Sequence, residues 1–263
     1  MLRYLLNHAK KVLTMLLVAA MFMSSVMTSN ANEVVTVSFT GPKTKVEETV
    51  PAWMQRECDV IIRVGEYNGK AGKRVYIDDL NISWKNIPTD IPIHRDNQGH
   101  YISEYDINLK VANKIYKQLI ADGVNAKLQI AGGKSEDLNA AARISNESNP
   151  KLYLSIHHNY YNSTSSGYFT MYNQDNSTAK AIAGRLSNCI KDNNRVRYTG
   201  DRANDGYIGE LNNIHNSTIG VLMELGFFSN PQELQTIIND SHTDYISNKL
   251  ADEVENILND YWK

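Results

Sequence analysis

The sequence has almost no cysteine, two in 263 residues. That excludes a disulfide-built scaffold, which needs several pairs to replace a core. It has no excess of either charge: 27 Lys and Arg stand against 29 Asp and Glu, for a formal net charge of −2. Nothing in that balance favours nucleic acid as a partner. It has no apolar run of the ~18 residues a membrane span needs, apart from the extreme N-terminus. It has no internal repeat and no low-complexity tract. What is there is ordinary: 42% hydrophobic and 21% charged residues, the proportions of a globular chain rather than a disordered, collagen-like or coiled-coil one.

Residues 1–11 carry Arg3, Lys10 and Lys11 and no acid. Val12 to Met23 is then apolar except for Thr14, and Ser29-Asn30-Ala31 puts small residues where a signal peptidase reads. A basic stretch, an apolar stretch and a small-residue site predict an export signal over 1–31. The apolar run is short for a retained anchor. Cleavage after Ala31 removes three basic residues and no acid, which moves the net charge from −2 to −5. Outside the cytoplasm Cys58 and Cys189 are free to pair. One pair is no framework, however, and both read slightly better as buried apolar residues.

Residues 32–57 form a mixed, polar N-terminal extension in which Val34–Phe39 alternates like an edge strand. Cys58–Val64 reads as a buried strand ending at Gly65. The stretch 66–103, rich in Gly and Pro, looks like a long elaborated loop with a short strand at 74–77. Loops of that length are usually functional or disordered. Ser103 is placed to cap a helix whose apolar residues Ile107, Val111, Ile115 and Leu119 fall on one face; Gly123 stops it. Val124–Ile130 reads as a strand, Ser135–Asn149 as a helix, Leu152–Ile156 and Gly167–Tyr172 as strands, and Thr178–Asn193 as a helix. Residues 194–218 read as an Asn- and Gly-rich loop. Ile219–Glu224 is another buried strand, Pro231 opens a short helix, and Asp244–Tyr261 is a last amphipathic helix. Strands alternating with helices predict an α/β fold: one mostly parallel sheet flanked by helices, over residues 58–263, with a long insert after the first strand.

Parallel sheets place ligands beyond the carboxyl ends of their strands. Three of the predicted strands run into unusual polar residues there: Gly65-Glu66, His157-His158-Asn159 and Glu224. Glu104 sits at a helix start, where a carboxylate is favoured electrostatically. Imidazole and carboxylates are ordinary zinc ligands, and a spare carboxylate nearby can deprotonate a water. Taken singly, each residue also has a plain structural explanation: an exposed turn acid, a helix-start acid, a satisfied strand-end histidine.

Taken together, four stretches resemble the zinc-dependent N-acetylmuramoyl-L-alanine amidases of the Amidase_3 class. Ser-Glu-Tyr-Asp-Ile-Asn-Leu (103–109) is similar to the family's helix start with a zinc-binding Glu, here Glu104. Asp137-Leu-Asn-Ala-Ala-Ala-Arg143 to Asn146 resembles its Leu-x-x-Arg-x-x-x-Ala-Asn helix. Leu154-Ser-Ile-His-His-Asn159 resembles its Ser-Ile-His-x-Asn strand end, whose His binds zinc, here His157. Leu222-Met-Glu-Leu-Gly-Phe-Phe-Ser-Asn230 resembles its Glu-x-Gly-Phe-x-Ser-Asn motif, whose Glu is catalytic, here Glu224. The resemblance covers roughly residues 58–262. It implies a zinc enzyme, secreted and associated with the cell wall, that cleaves peptidoglycan between N-acetylmuramic acid and L-alanine, with no membrane partner once the signal is gone.

One position departs from the family. Where its first strand is followed by Gly-His-Gly, this chain has Gly65-Glu66. Three alternatives stand: Glu66 replaces the imidazole as a ligand, giving Glu66, Glu104 and His157; His94 or His100 from the insert replaces it; or there is no stable zinc site, and the chain is a weakened or inactive homologue that binds peptidoglycan or regulates. His158, next to His157 on a strand, points to the opposite face. His215 reads as a loop residue. Tyr160, Tyr161 and Tyr168 follow His157 and are placed either to line a groove or to pack. No Gly-x-Ser-x-Gly elbow or Cys-His arrangement supports an unrelated hydrolase.

Overall fold

The helix expected after Ser103 forms in the computed structural model as α1, Glu104–Ala121. Its start is fixed by a reciprocal cap: the Asp106 N–H donates to Ser103 Oγ, and the Ser103 N–H donates to the Asp106 carboxylate at 2.9 Å. Ile107, Val111, Ile115 and Leu119 are all buried, as their spacing requires. The structure describes residues 57–66, 74–77, 80, 82–87, 91, 95–96, 99–130, 138–173, 176–192 and 194–262. The signal segment, the extension strand at 34–39 and the expected Ser135 cap lie outside them. No helix among the described residues is long and apolar enough to cross a membrane.

The strands are β1 Val60–Val64, β2 Arg74–Tyr76, β3 Arg95–Asp96, β4 Gly99–Ser103, β5 Ala126–Gln129, β6 Leu152–Asn159, β7 Phe169–Asn173, β8 Arg202–Asn204 and β9 Ile219–Phe227. Six form one sheet in the order β5-β1-β6-β9-β7-β8, parallel except between β7 and β9. The remaining helices are α2 Leu138–Asn146, α3 Ser177–Cys189, α4 Gly209–Asn212, α5 Pro231–Ile237 and α6 Asp240–Trp262.

Both faces of the sheet are covered, so its central strands are mostly apolar and alternate residues go to opposite sides. Val60, Ile62, Leu154, Ile156, Val221 and Met223 pack in one large core with α1, α3 and α6. Ile61, Tyr153 and Leu222 pack in a smaller one with Ala142 of α2 and Leu211 of α4. Cys58 belongs to the smaller core and Cys189 packs against the larger, so the two thiols stand on opposite sides and are free.

The architecture matches the expected fold class, with two differences of detail. The described part of 66–103 is not a loop: β2, β4 and β3 make a three-stranded antiparallel sheet. The expected loop at 194–218 carries β8 and α4. Beyond the strand expected at 74–77, these elements escape local pattern reading because strands and helices of two to five residues are too short to show a clear period.

Candidate active site

The carboxyl ends of β1, β6 and β9 and the start of α1 converge on one edge of the sheet. Strand β6 runs past its apolar stretch through His157 and His158. Parallel pairing sets His157 beside Glu224 of β9. The same face of the sheet takes Tyr153, Ser155 and His157 in turn, and His158 the other, as a period of two requires.

Gly65 ends β1 and lies against the His157 ring. Its N–H donates to the Ile156 carbonyl at 2.9 Å, and its own carbonyl accepts from Asn108 Nδ2 at 3.2 Å. A Cβ there would stand 2.5 Å from His157 Nε2, so only glycine leaves room for the ring. The next residue, Glu66, takes a left-handed backbone conformation, φ 59°, uncommon for a residue with a side chain. This turn brings its carboxylate back over the strand end.

Donor atoms of Glu66, Glu104 and His157 all lie within 4.8 Å of one another. The Glu104 Oε1 atom is 3.0 Å from His157 Nδ1 and also accepts from the His158 N–H at 3.3 Å and Asn108 Nδ2 at 3.2 Å. Asn108, one helical turn after Glu104, therefore binds the start of α1 to the ends of β1 and β6. Its amide nitrogen is spent as donor, so its oxygen accepts from the His158 ring. His158 Nδ1, 2.8 Å away, carries the proton. Burial, with the neighbouring His242 and His157, lowers the His158 pKa to about 3. His158 is thus a neutral support on the far face.

The other sequence candidates fall elsewhere. The His100 ring stacks on Trp84 at 3.8 Å in the insert, and the grouped donor atoms do not include it. His94 lies outside the described residues. Tyr168 is fully buried with its hydroxyl on the Ser187 carbonyl, so it packs and lines no groove. Tyr161 is exposed and Tyr160 partly so. His215 is exposed in a loop.

One residue was missed in the sequence. Glu210, the second residue of the four-residue helix α4, is 1% exposed, and its Oε1 stands 3.3 Å from His157 Nε2. The only local sign is an acid inside an Asn- and Gly-rich stretch, which by itself reads as solvated.

Four glutamates therefore surround one histidine. Burial alone would lower the His157 pKa, but Glu104 and Glu210 hold it well above its ordinary value. Burial and Glu104 raise that of Glu66. Burial raises that of Glu224 to about 8, with Glu104, Glu210 and Glu66 adding to the rise against His157. Its Oε2 is buried with no hydrogen-bond partner. Such an excess of acid, with one carboxylate oxygen left unpaired, is the environment a divalent cation would relieve. Two carboxylates and an imidazole are a chemically acceptable set for zinc, three protein donors leaving one position open.

A family model described as N-acetylmuramoyl-L-alanine amidase matches residues 94–256. The span takes in Glu104, His157, Glu210 and Glu224 and begins after Glu66. Among solved structures, the catalytic domain of an N-acetylmuramoyl-L-alanine amidase from Bacillus (Paenibacillus) polymyxa var. colistinus is 20% identical, over 77% of this chain and 98% of that one, with a TM-score of 0.61. An N-acetylmuramoyl-L-alanine amidase from Clostridium difficile 630 is 21% identical, over 79% and 100%, with a TM-score of 0.58. Another from Nostoc punctiforme is 18% identical, over 77% and 97%, at 0.56. These identities speak for the fold alone. No curated protein matches.

Proposed function

The chain belongs to the N-acetylmuramoyl-L-alanine amidase family, hydrolases of peptidoglycan, and from that premise we propose that it cleaves the muramoyl–L-alanine amide with zinc held by Glu66, Glu104 and His157. The observation that carries the reading is the grouping of those three donors beside Glu224. A bound zinc ion supplies Lewis acidity, polarising the scissile carbonyl and acidifying a water.

The chain's own residues do the rest. Glu104 is fixed by Asn108 and the His158 N–H, so it meets an ion without reorganising. Glu224 has a buried, unpaired oxygen at the same strand end. With a dication held beside it, Glu224 would be favoured as the carboxylate, the form that accepts a proton from the attacking water. The same carboxyl then passes the proton to the nitrogen of the leaving L-alanine. Two anionic ligands would offset more of a bound ion's charge than one does, so a water there would be less acidic than in a histidine-rich site and turnover slower. Residues 1–31 export the chain to the cell wall.

The test is release of new L-alanine amino groups from purified peptidoglycan, with and without a chelator. Chelator-sensitive release is expected. The substitution Glu224→Gln should keep stoichiometric zinc and lose about 10²–10⁴-fold in rate, the usual worth of a general base. Zinc-loaded, folded wild-type protein that releases nothing would leave a peptidoglycan-binding or regulatory role instead.

A further inference from the structure

We propose that Glu210 is the positioning carboxylate of His157: it accepts a hydrogen bond from Nε2–H and so turns Nδ1 towards the metal. The proposal rests on the metal centre proposed above.

The two ring nitrogens of His157 face two different carboxylates. Nδ1 lies 3.0 Å from Oε1 of Glu104, one of the two carboxylates grouped with His157. Nε2 lies 3.3 Å from Glu210 Oε1, and both atoms are buried without a hydrogen-bond partner, so this near contact is the one each has to complete. Glu210 is absent from the group of mutually close donors, so it stands behind the ring rather than in the centre. An imidazole offers a lone pair on one nitrogen only when the proton sits on the other, and metal-binding histidines almost always place that proton against a carboxylate or carbonyl.

Glu210 is built for that task. It is 1% exposed, and its second oxygen, Oε2, accepts from the Tyr153 hydroxyl at 3.3 Å. Tyr153 is on β6, four residues before His157 and on the same face, so the strand that carries the histidine also anchors its carboxylate. Leu211, next to Glu210, is buried in the core that contains Tyr153, which holds the short helix in place. A buried carboxylate kept only for stability has no reason to aim an unpaired oxygen at an unpaired ring nitrogen.

The experiment compares wild type, Glu210→Gln and Glu210→Ala as full chains, with zinc affinity measured by competition against a chromophoric chelator. The Ala substitution should weaken zinc binding about 10–100-fold, the usual effect of removing such a partner. The Gln substitution keeps an oxygen acceptor for Nε2–H and should restore most of that loss, which a merely structural role of the charge would not predict. Independently of either variant folding, ¹⁵N spectra of zinc-loaded wild type, with the His157 ring assigned through His157→Gln, should show metal on Nδ1 and a proton on Nε2. Wild-type affinity in Glu210→Ala, or metal on Nε2, would overturn this assignment alone. A wild-type chain that takes up no zinc would overturn the metal centre and the assignment with it.

Discussion

Replacing Gly65 by alanine adds one methyl group at the most crowded point of the site. The new Cβ would stand 2.5 Å from His157 Nε2, 2.6 Å from its Cδ2 and 2.5 Å from the Ile156 carbonyl oxygen. Optimal contact begins near ~3.5 Å, so about 1 Å must be found. The backbone has little to give, because both polar groups of Gly65 are hydrogen-bonded, to Ile156 and to Asn108. The ring must therefore turn away. Overpacking of this kind costs about 1–3 kcal/mol. In a chain of this size that lowers the melting temperature by about 2–4 °C per kcal/mol. Zinc affinity should fall by at least ~10-fold, the lower end of the effect of disturbing a ligand's support. The assay is a thermal melt of the metal-free chain with a chelator competition on the same samples. Gly123 supplies the control: its φ is +83°, but nothing lies within 4 Å of a Cβ there, so Gly123→Ala should lose stability through backbone strain and leave zinc binding unchanged. The refuting result has a definite sign. Gly65 has no left-handed φ, so without the clash its replacement would stabilise the fold by about 0.4–1 kcal/mol through the unfolded state. A melt at or above wild type with unchanged zinc affinity would show that Gly65 does not hold the ring.

Glu233 accepts from the Gly167 and Phe227 N–H groups, both at 2.6 Å. Glu233→Gln keeps only one acceptor, so chemical denaturation should show a loss of about 1.5–3 kcal/mol; a midpoint equal to wild type would refute this. Burial and the nearby Arg195 lower the His242 pKa to about 4, so the folded state keeps it neutral where the unfolded chain protonates it. Its contribution is present above the ordinary histidine pKa near 6.5 and is lost as pH falls towards 4. Between pH 7 and 5 that amounts to about 2 kcal/mol at 1.36 kcal/mol per pH unit. The fall in stability over that interval should be smaller by this amount in His242→Leu, and parallel curves for the two proteins would disprove it. Burial raises the Cys58 pKa to about 11 and that of Cys189 to about 12. Cys58, which is buried, should therefore resist alkylation at pH 8 and react only in denaturant, and half-buried Cys189 should react slowly; fast labelling of Cys58 in the native chain would contradict this.

How far the sequence could be read varies with the range of the interaction. The start of helix α1 was legible to the residue because its cap, Ser103, and its four-residue repeat are local; the part of Asp106 in the cap came with the structure. Glu104, His157 and Glu224 stood out because acids and an imidazole at the ends of apolar stretches are unusual, and because their surroundings resemble a family's wording. Glu66 was legible as a polar residue at a strand end, and as a departure from that wording. Of the sheet formed by β2, β3 and β4 only β2 was legible, as the short strand at 74–77; the pairing that makes it a sheet was not, since it joins strands distant in sequence. Strand β9 was read to Glu224 but continues to Phe227, because pairing with β6 carries it past the point where apolar periodicity ends.

By itself the sequence determined the α/β class, the apolar runs that become the buried strands, and the chemistry available at the strand ends. These follow from spacing along the chain, where neighbours are a few residues apart. Only the tertiary structure decided which of the candidate residues share a site. It turned Glu66 back over β1 through a left-handed backbone, stacked His100 on Trp84, and brought Glu210 to the back of His157 across 53 residues of chain. None of these is written in local pattern, because sheet order and loop path fix the distances between residues far apart in sequence.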